Sequence, residues 1–319
     1  MARDRLWEPA VMEAGQRIAG RYVIAGKLRE GGMGQLYVAV CEDTGRRVAL
    51  KVIERDGSGR DLDGLASLPL EFEVSRTRHP SIVDVFDVGE IEGGGGYVAM
   101  ELLEGLDLAD VLATERALDA PRAVRIGLQL CGALAEAHDC GVVHCDLKPE
   151  NLFLVQDDEG CERVKVVDFG SARRASPGSR EGDSQAEPAG TAVVATRGTP
   201  EYMAPEQAER GSLDGAVDIY AVGVILYEMI AGRVPYEGGT TEQVVEMRDR
   251  QPARSIRSEM GGRVSEELER VIDRALARAP GDRFSSMRQF AQALASTPEG
   301  MLDAPIALVR LKAREGQGR

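Results

Sequence analysis

The chain has 319 residues, 43% of them hydrophobic and 29% charged, with a formal net charge of −14 at pH 7. That balance suits a soluble protein with one large core or two smaller ones. The acidic excess argues against a nucleic-acid binder, which needs basic patches to neutralise phosphates, and against docking on anionic lipid. Met1 to Trp7 has no apolar run behind its charges, and Ile219 to Ala231 is too short to span a bilayer. With 5 scattered cysteines, these features lead us to expect a reducing, cytoplasmic location.

In chain order, Arg21 to Glu30 alternates and runs into Gly31-Gly32-Met33-Gly34, after which Leu36 to Val40 resumes as a strand. This predicts a hairpin with a glycine-rich turn. Val48 to Ile53 is a β-branched strand with one lysine, Lys51, in an otherwise apolar run. A lysine there needs an anionic partner or loses its charge. Asp56 to Gly64 reads as a polar linker, and a helical segment holding Glu71 and Glu73 ends before His79-Pro80. Gly93 to Gly96 reads as a hairpin turn ahead of a strand over Tyr97–Met100. Leu106–Thr114 is predicted as a short helix and Ala120–His138 as a long one, with Val124, Leu128, Cys131, Leu134 and Ala135 at three-to-four spacing.

The stretch from Val143 through His144, Cys145, Asp146, Leu147, Lys148, Pro149 and Glu150 to Asn151, followed by Asp168-Phe169-Gly170, then carries the chemistry. It supplies the carboxylates, lysine and asparagine that phosphoryl transfer needs as base, charge clamp and metal ligands. A zinc site from His138, Cys140, His144 and Cys145 is the competing reading. These four fall across a helix end and a loop rather than on a dedicated knuckle. A strand pair is predicted around Leu152–Leu154 and Val164–Val167, and Ser176–Ala192 is polar without periodicity. Helices follow over Asp214–Gly232, Thr240–Arg250, Ser265–Ala277 and Ser285–Leu294, with a tail from Thr297.

Over roughly residues 17–297 the chain resembles the eukaryotic-like (Hanks-type) serine/threonine protein kinases found in bacteria. The resemblance rests on an ordered set: Gly31 to Gly34, Val48 to Lys51, His79-Pro80, His144 to Asn151, Asp168 to Gly170, Gly198 to Glu206, Asp218 to Tyr220, and Arg283. It implies an α+β, two-lobed protein kinase fold. A small β-rich N-lobe would occupy 17–103 and a larger, mainly helical C-lobe 104–297, flanked by an extension at 1–16 and a tail at 298–319. ATP would be the phosphoryl donor with Mg²⁺, or Mn²⁺ in its place. Lys51 would hold the α- and β-phosphates and pair with a helix carboxylate. Asp168 and Asn151 would bind the metal through oxygen. Asp146 would accept the substrate's hydroxyl proton, and Lys148 would touch the transferring phosphate. The amides of Gly31, Gly32 and Gly34 would cover the phosphates.

Adenine would lie among Leu28, Leu36, Ala49 and Phe153 and bond to the backbone of Glu101 and Leu103, next to Met100, with Asp107 at the ribose. The resemblance further implies that Thr199 braces Asp146 and Lys148, and that Glu206 and Arg283 form a buried ion pair. Its partners would be protein substrates with serine or threonine acceptors, and a second copy of itself for autophosphorylation; no nucleic acid and no membrane are expected. Two positions depart from the pattern. Arg29 replaces the first glycine of the phosphate loop, and Cys145 replaces the arginine that in the family receives an activation-loop phosphate. For the helix carboxylate, Glu71 is favoured because Val74 then faces the core, and Glu73 is the rival.

Overall fold

The computed structural model describes residues 12–31, 34–53, 63–91, 94–175, 199–208, 213–238 and 240–302. Its contacts gather into two compact units. Of the described residues, the first holds those up to Arg78, then those within 82–104 and 168–172; the second holds 79–81, 105–167 and those from Arg173 on.

The first unit is built on a six-stranded antiparallel sheet. Its strands are β1 (Arg17–Ile18), β2 (Tyr22–Gly31), β3 (Gly34–Cys41), β4 (Arg47–Ile53), β5 (Val85–Glu90) and β6 (Gly96–Glu101), ordered β1-β2-β3-β4-β6-β5. Side chains alternate across a strand, so one face of each can be buried. On that face Tyr22, Ile24, Tyr37, Ala39, Val48, Leu50, Val52, Tyr97 and Ala99 form one core. Burying each of the larger ones stabilises the unit by about 1.5–3 kcal/mol. Helix α1 (Asp63–Ser75) begins inside the stretch read from sequence as a linker to Gly64. Acidic residues favour a first helical turn, which is why polarity alone misplaced that boundary.

The second unit opens with β7 (Gly105–Asp107), α2 (Leu108–Glu115), α3 (Ala120–Asp139) and β8 (Val142–Val143). β9 (Leu152–Gln156), β10 (Glu162–Val166) and β11 (Arg173–Arg174) follow. Two small antiparallel sheets result, β10-β9-β7 and β11-β8. The remainder is helical: α4 (Pro205–Ala208), α5 (Gly215–Ala231), α6 (Thr241–Arg250), α7 (Ile256–Glu259), α8 (Glu266–Ala275), α9 (Met287–Ala295) and α10 (Pro298–Leu302).

Most starts carry a side-chain cap: Asp107, Asp119, Asp214, Thr240, Ser255, Ser265 and Ser286 each accept a backbone N–H of the first turn. Helix α5 is buried on all sides from Val217 to Tyr227, the signature of a helix at the centre of a core. It ends at Gly232 with φ 71°, where a Cβ would lie 2.7 Å from the Arg116 carbonyl oxygen. Two expectations need correction. The helix expected from Leu106 starts at Leu108, because Gly105–Asp107 pairs with β9 as a strand. The expected tail begins with helix α10, which Glu299 fastens by accepting the Ser265 amide at 2.8 Å and its hydroxyl at 2.7 Å. Among the described residues no helix is long and apolar enough to cross a membrane.

Candidate active site

In the first unit, β2 and β3 close on each other at Gly31 and Gly34, with Arg29 opposite Leu36. Gly32 lies outside the described residues. On β4, Lys51 stands between Leu36 and Val98 and is 7% exposed. Its Nζ donates to Asp168 Oδ1 at 2.5 Å. Asp168 adopts a left-handed φ of 63°, and the same oxygen accepts the Gly170 amide at 3.0 Å. The helix carboxylate expected on Lys51 is not bonded to it. Glu71 is buried on α1, and neither of its oxygens has a hydrogen-bond partner. Burial raises its carboxyl to about 7, with the Asp168 charge adding to this and Lys51 opposing it. Glu73 is only half-buried.

Ala49 and Met100 are buried, Leu36, Glu101 and Leu103 half-buried, and Leu28 exposed. The Glu101 amide donates to the Asp84 carbonyl at 2.9 Å, and Glu101 Oε1 accepts the Asp84 amide at 2.8 Å. Ser75, at the end of α1, is buried and accepts the Val85 amide at 2.6 Å.

In the second unit the residues just before Asp146 hang from one buried carboxylate. Asp218 on α5 is 1% exposed. Its Oδ2 accepts the His144 amide at 2.9 Å and Oδ1 the Cys145 amide at 3.0 Å. His138 Nε2 lies 2.8 Å from Oδ2. Burial works to raise this carboxyl, but the bonds and charges of His138 and His144 prevail and hold it below the usual range. Cys145, with φ 67°, follows; burial beside the Asp218 charge pushes its thiol up. Lys148 Nζ reaches Asp146 Oδ2 at 3.2 Å. Asn151 Nδ2 donates to the Asp146 carbonyl at 2.8 Å, which leaves the amide oxygen as the acceptor end of the side chain.

Phe153 is half-buried on β9. Asp107 is 2% exposed and caps α2 through the Asp110 amide at 2.8 Å, a structural duty that sequence reading did not assign it. The Thr199 carbonyl accepts the Tyr202 amide at 3.1 Å. The expected bonds from its hydroxyl to Asp146 and Lys148 do not occur among the described residues. Glu206 and Arg283 form the expected buried pair, at 2.6 and 2.8 Å. Ser176 to Thr196 and Gly198 lie outside the described residues.

The alternative zinc site is not assembled: no group of three or more potential ligands gathers among the described residues, and His138 is engaged with Asp218. Sequence reasoning gave no role to Gln207, Glu228 or Arg248, weighed His138 only as a zinc ligand, and counted Asp218 in the ordered set without giving it a role. Tyr202 donates to Glu228 at 2.6 Å, Arg248 donates to the Met203 carbonyl, and Gln207 bonds both Ala204 and Cys145. The one sequence signal among these is Asp218, an acid at the head of an apolar helix.

Within the first unit, Asp168 offers carboxylate oxygen beside the nearly buried positive charge of Lys51, the kind of donor chemistry that a hard divalent cation and a polyphosphate take; within the second, Asn151 offers an amide oxygen. Comparison with known proteins identifies the family. Residues 22–296 match the protein kinase domain family. The chain is 38% identical over 282 residues to the serine/threonine-protein kinase pkn3 of Myxococcus xanthus, covering 86% of this chain and 50% of that one. It is 32% identical over 303 residues to the serine/threonine-protein kinase PknB of Mycolicibacterium smegmatis, covering 93% and 46%. The chain thus spans about half the length of these curated relatives. Among solved structures, the PknI kinase domain of Mycobacterium tuberculosis superposes with a TM-score of 0.68 at 27% identity, covering 89% of this chain and 98% of that one. With these matches and the two-unit architecture, the chain belongs to the protein kinase family and has its fold.

Proposed function

We propose that this chain is an ATP-dependent kinase that phosphorylates serine and threonine hydroxyls of proteins, copies of itself included, in the cytoplasm. The observation that carries the reading is the loop in which Asp146 is held by Lys148 at its carboxylate and by Asn151 at its carbonyl. Asp146 takes the hydrogen bond of the acceptor hydroxyl and its proton as the new P–O bond to the γ-phosphorus forms. The bond from that phosphorus to the bridging oxygen breaks, ADP leaving with that oxygen. Lys148, 3.2 Å from that carboxylate, carries positive charge beside it, and there it stabilises charge gathering on the transferred group. Asp168 and Asn151 would hold Mg²⁺, which when bound supplies charge neutralisation of the phosphates. Lys51 binds phosphate oxygens, and the glycine turn at Gly31 and Gly34 lets the backbone approach them.

Glu71 supports this assignment for Lys51. A buried carboxylate without a partner near Lys51 gives the ammonium a second anchor when Asp168 is engaged by metal. Leu36, Ala49 and Phe153, with the backbone of Glu101 and Leu103, are assigned to adenine. The test is transfer of labelled phosphate from ATP to a generic protein substrate, with Asp146→Asn as the control. Transfer by the parent chain and its loss in the variant support the reading. No transfer by the parent, with ATP still bound, would make it a nucleotide-binding scaffold.

A further inference from the structure

The residue before Asp146 is strained and held at both ends. Cys145 has a φ of 67°, a left-handed conformation that disfavours any side chain. Its amide is taken by Asp218 at 3.0 Å. Its carbonyl is taken by Gln207 Nε2 at 2.9 Å. Among the described residues the Cys145 thiol adds no hydrogen-bonded tether to neighbouring segments, turning back to the Val143 carbonyl at 3.7 Å. A peptide in this conformation persists only where its surroundings over-determine it.

Gln207 does more than fill one of these places. It is 7% exposed on α4, and its Oε1 accepts the Ala204 amide at 2.9 Å. A carboxamide is both donor and acceptor, so one side chain can grip a carbonyl and an N–H at once. Ala204 belongs to the stretch from Thr199 to Glu206, which is fixed separately by Tyr202 on Glu228, Arg248 on the Met203 carbonyl and Glu206 on Arg283. Gln207 therefore ties that stretch to the main chain one residue from the proposed base.

We propose that Gln207 is a positioning residue for phosphoryl transfer, setting Asp146 through the Cys145 carbonyl. The inference rests on the kinase reading above and names a residue that reading does not use. A group misplaced by about an ångström costs catalysis far more than it costs binding. Loss of the tether therefore falls on turnover rather than on ATP affinity.

The experiment uses the full chain with Gln207→Glu and Gln207→Met. The first keeps an acceptor for Ala204 and sets oxygen against the Cys145 carbonyl oxygen; the second removes both bonds at similar volume. Turnover, KM for ATP and thermal unfolding are measured. Iodoacetamide labelling of Cys145, resolved from the other cysteines by peptide mapping, reports local opening. We expect kcat to fall tenfold or more in both variants, a barrier change of about 1.4 kcal/mol or more. KM for ATP should stay within twofold and Cys145 should label several-fold faster. Turnover within twofold of the parent in both variants overturns the proposal. So does a loss of turnover that comes with an equal loss of thermal stability and unchanged Cys145 labelling. If the parent transfers no phosphate, the kinase reading fails on its own. Labelling then decides whether Gln207 holds the Cys145 peptide: unchanged protection in both variants refutes it, and faster labelling upholds it.

Discussion

Replacing Glu206 with Gln should unfold the second unit at a much lower temperature. Arg283 has a side chain with no solvent exposure, and that of Glu206 is 11% exposed. Its guanidinium has five N–H donors, and five bonds are present. Two go to Glu206 at 2.6 and 2.8 Å, and the others to the carbonyls of Ala216, Ala277 and Arg278 at 2.9, 2.8 and 3.0 Å. The Tyr220 ring centroid lies 5.0 Å from the guanidinium. The substitution turns one acceptor oxygen into an NH₂ facing an N–H, so a buried cation loses its counter-charge and one bond. Breaking a buried pair from one side costs about 3–5 kcal/mol. At about 2–4 °C per kcal/mol for a domain of this size, the midpoint should fall by about 6–20 °C. Circular dichroism at 222 nm follows the helices of this unit, and urea titration supplies the free energy. A loss below about 1 kcal/mol would refute the argument. Replacing both residues by apolar ones should recover only part of the loss, because the three carbonyls stay unpaired.

The carboxyl of Glu71 is raised from 4.5 to about 7, so the folded chain keeps its proton where the unfolded chain releases it. Its contribution to stability should fall by roughly 3 kcal/mol as pH rises between those values; Glu71→Gln should lack this slope in urea midpoints at pH 5 and 8, and the opposite difference would contradict it. Lys51→Met should keep the fold but lower phosphoryl transfer by about 10²–10³-fold, and transfer at the parent rate would remove Lys51 from the phosphates. Gly105→Ala would set a Cβ 2.2 Å from the Leu154 carbonyl oxygen. The strands must part, at about 1–3 kcal/mol; an unchanged urea midpoint would show that β7 and β9 adjust freely.

Periodicity made the long elements readable. Helix α3 carries its apolar stripe in the sequence, and β9 and β10 pair as their composition suggests. Helix α5 was readable for the opposite reason, being apolar on every side. Boundaries were harder, because a cap such as Asp107 and a short strand such as Gly105–Asp107 resemble helix in composition. Within the site, the residue types were visible and their pairings were not. Lys51 was expected on a helix carboxylate and lies on Asp168, since a sequence cannot rank two carboxylates competing for one ammonium. Gln207 meets Cys145 across 62 positions and Asp218 meets His144 across 74, and no local pattern encodes such contacts.

The Glu299 carboxylate, closed on the amide and hydroxyl of Ser265, has a mechanical meaning. Ser265 also caps α8 through the Leu268 amide at 3.0 Å. The chain leaving α10 is thus anchored at the head of α8. Tension applied beyond Leu302 would load this clasp early and begin to uncap α8 as it gave way. That end of the second unit would act as a fuse under force, yielding before the core around α5.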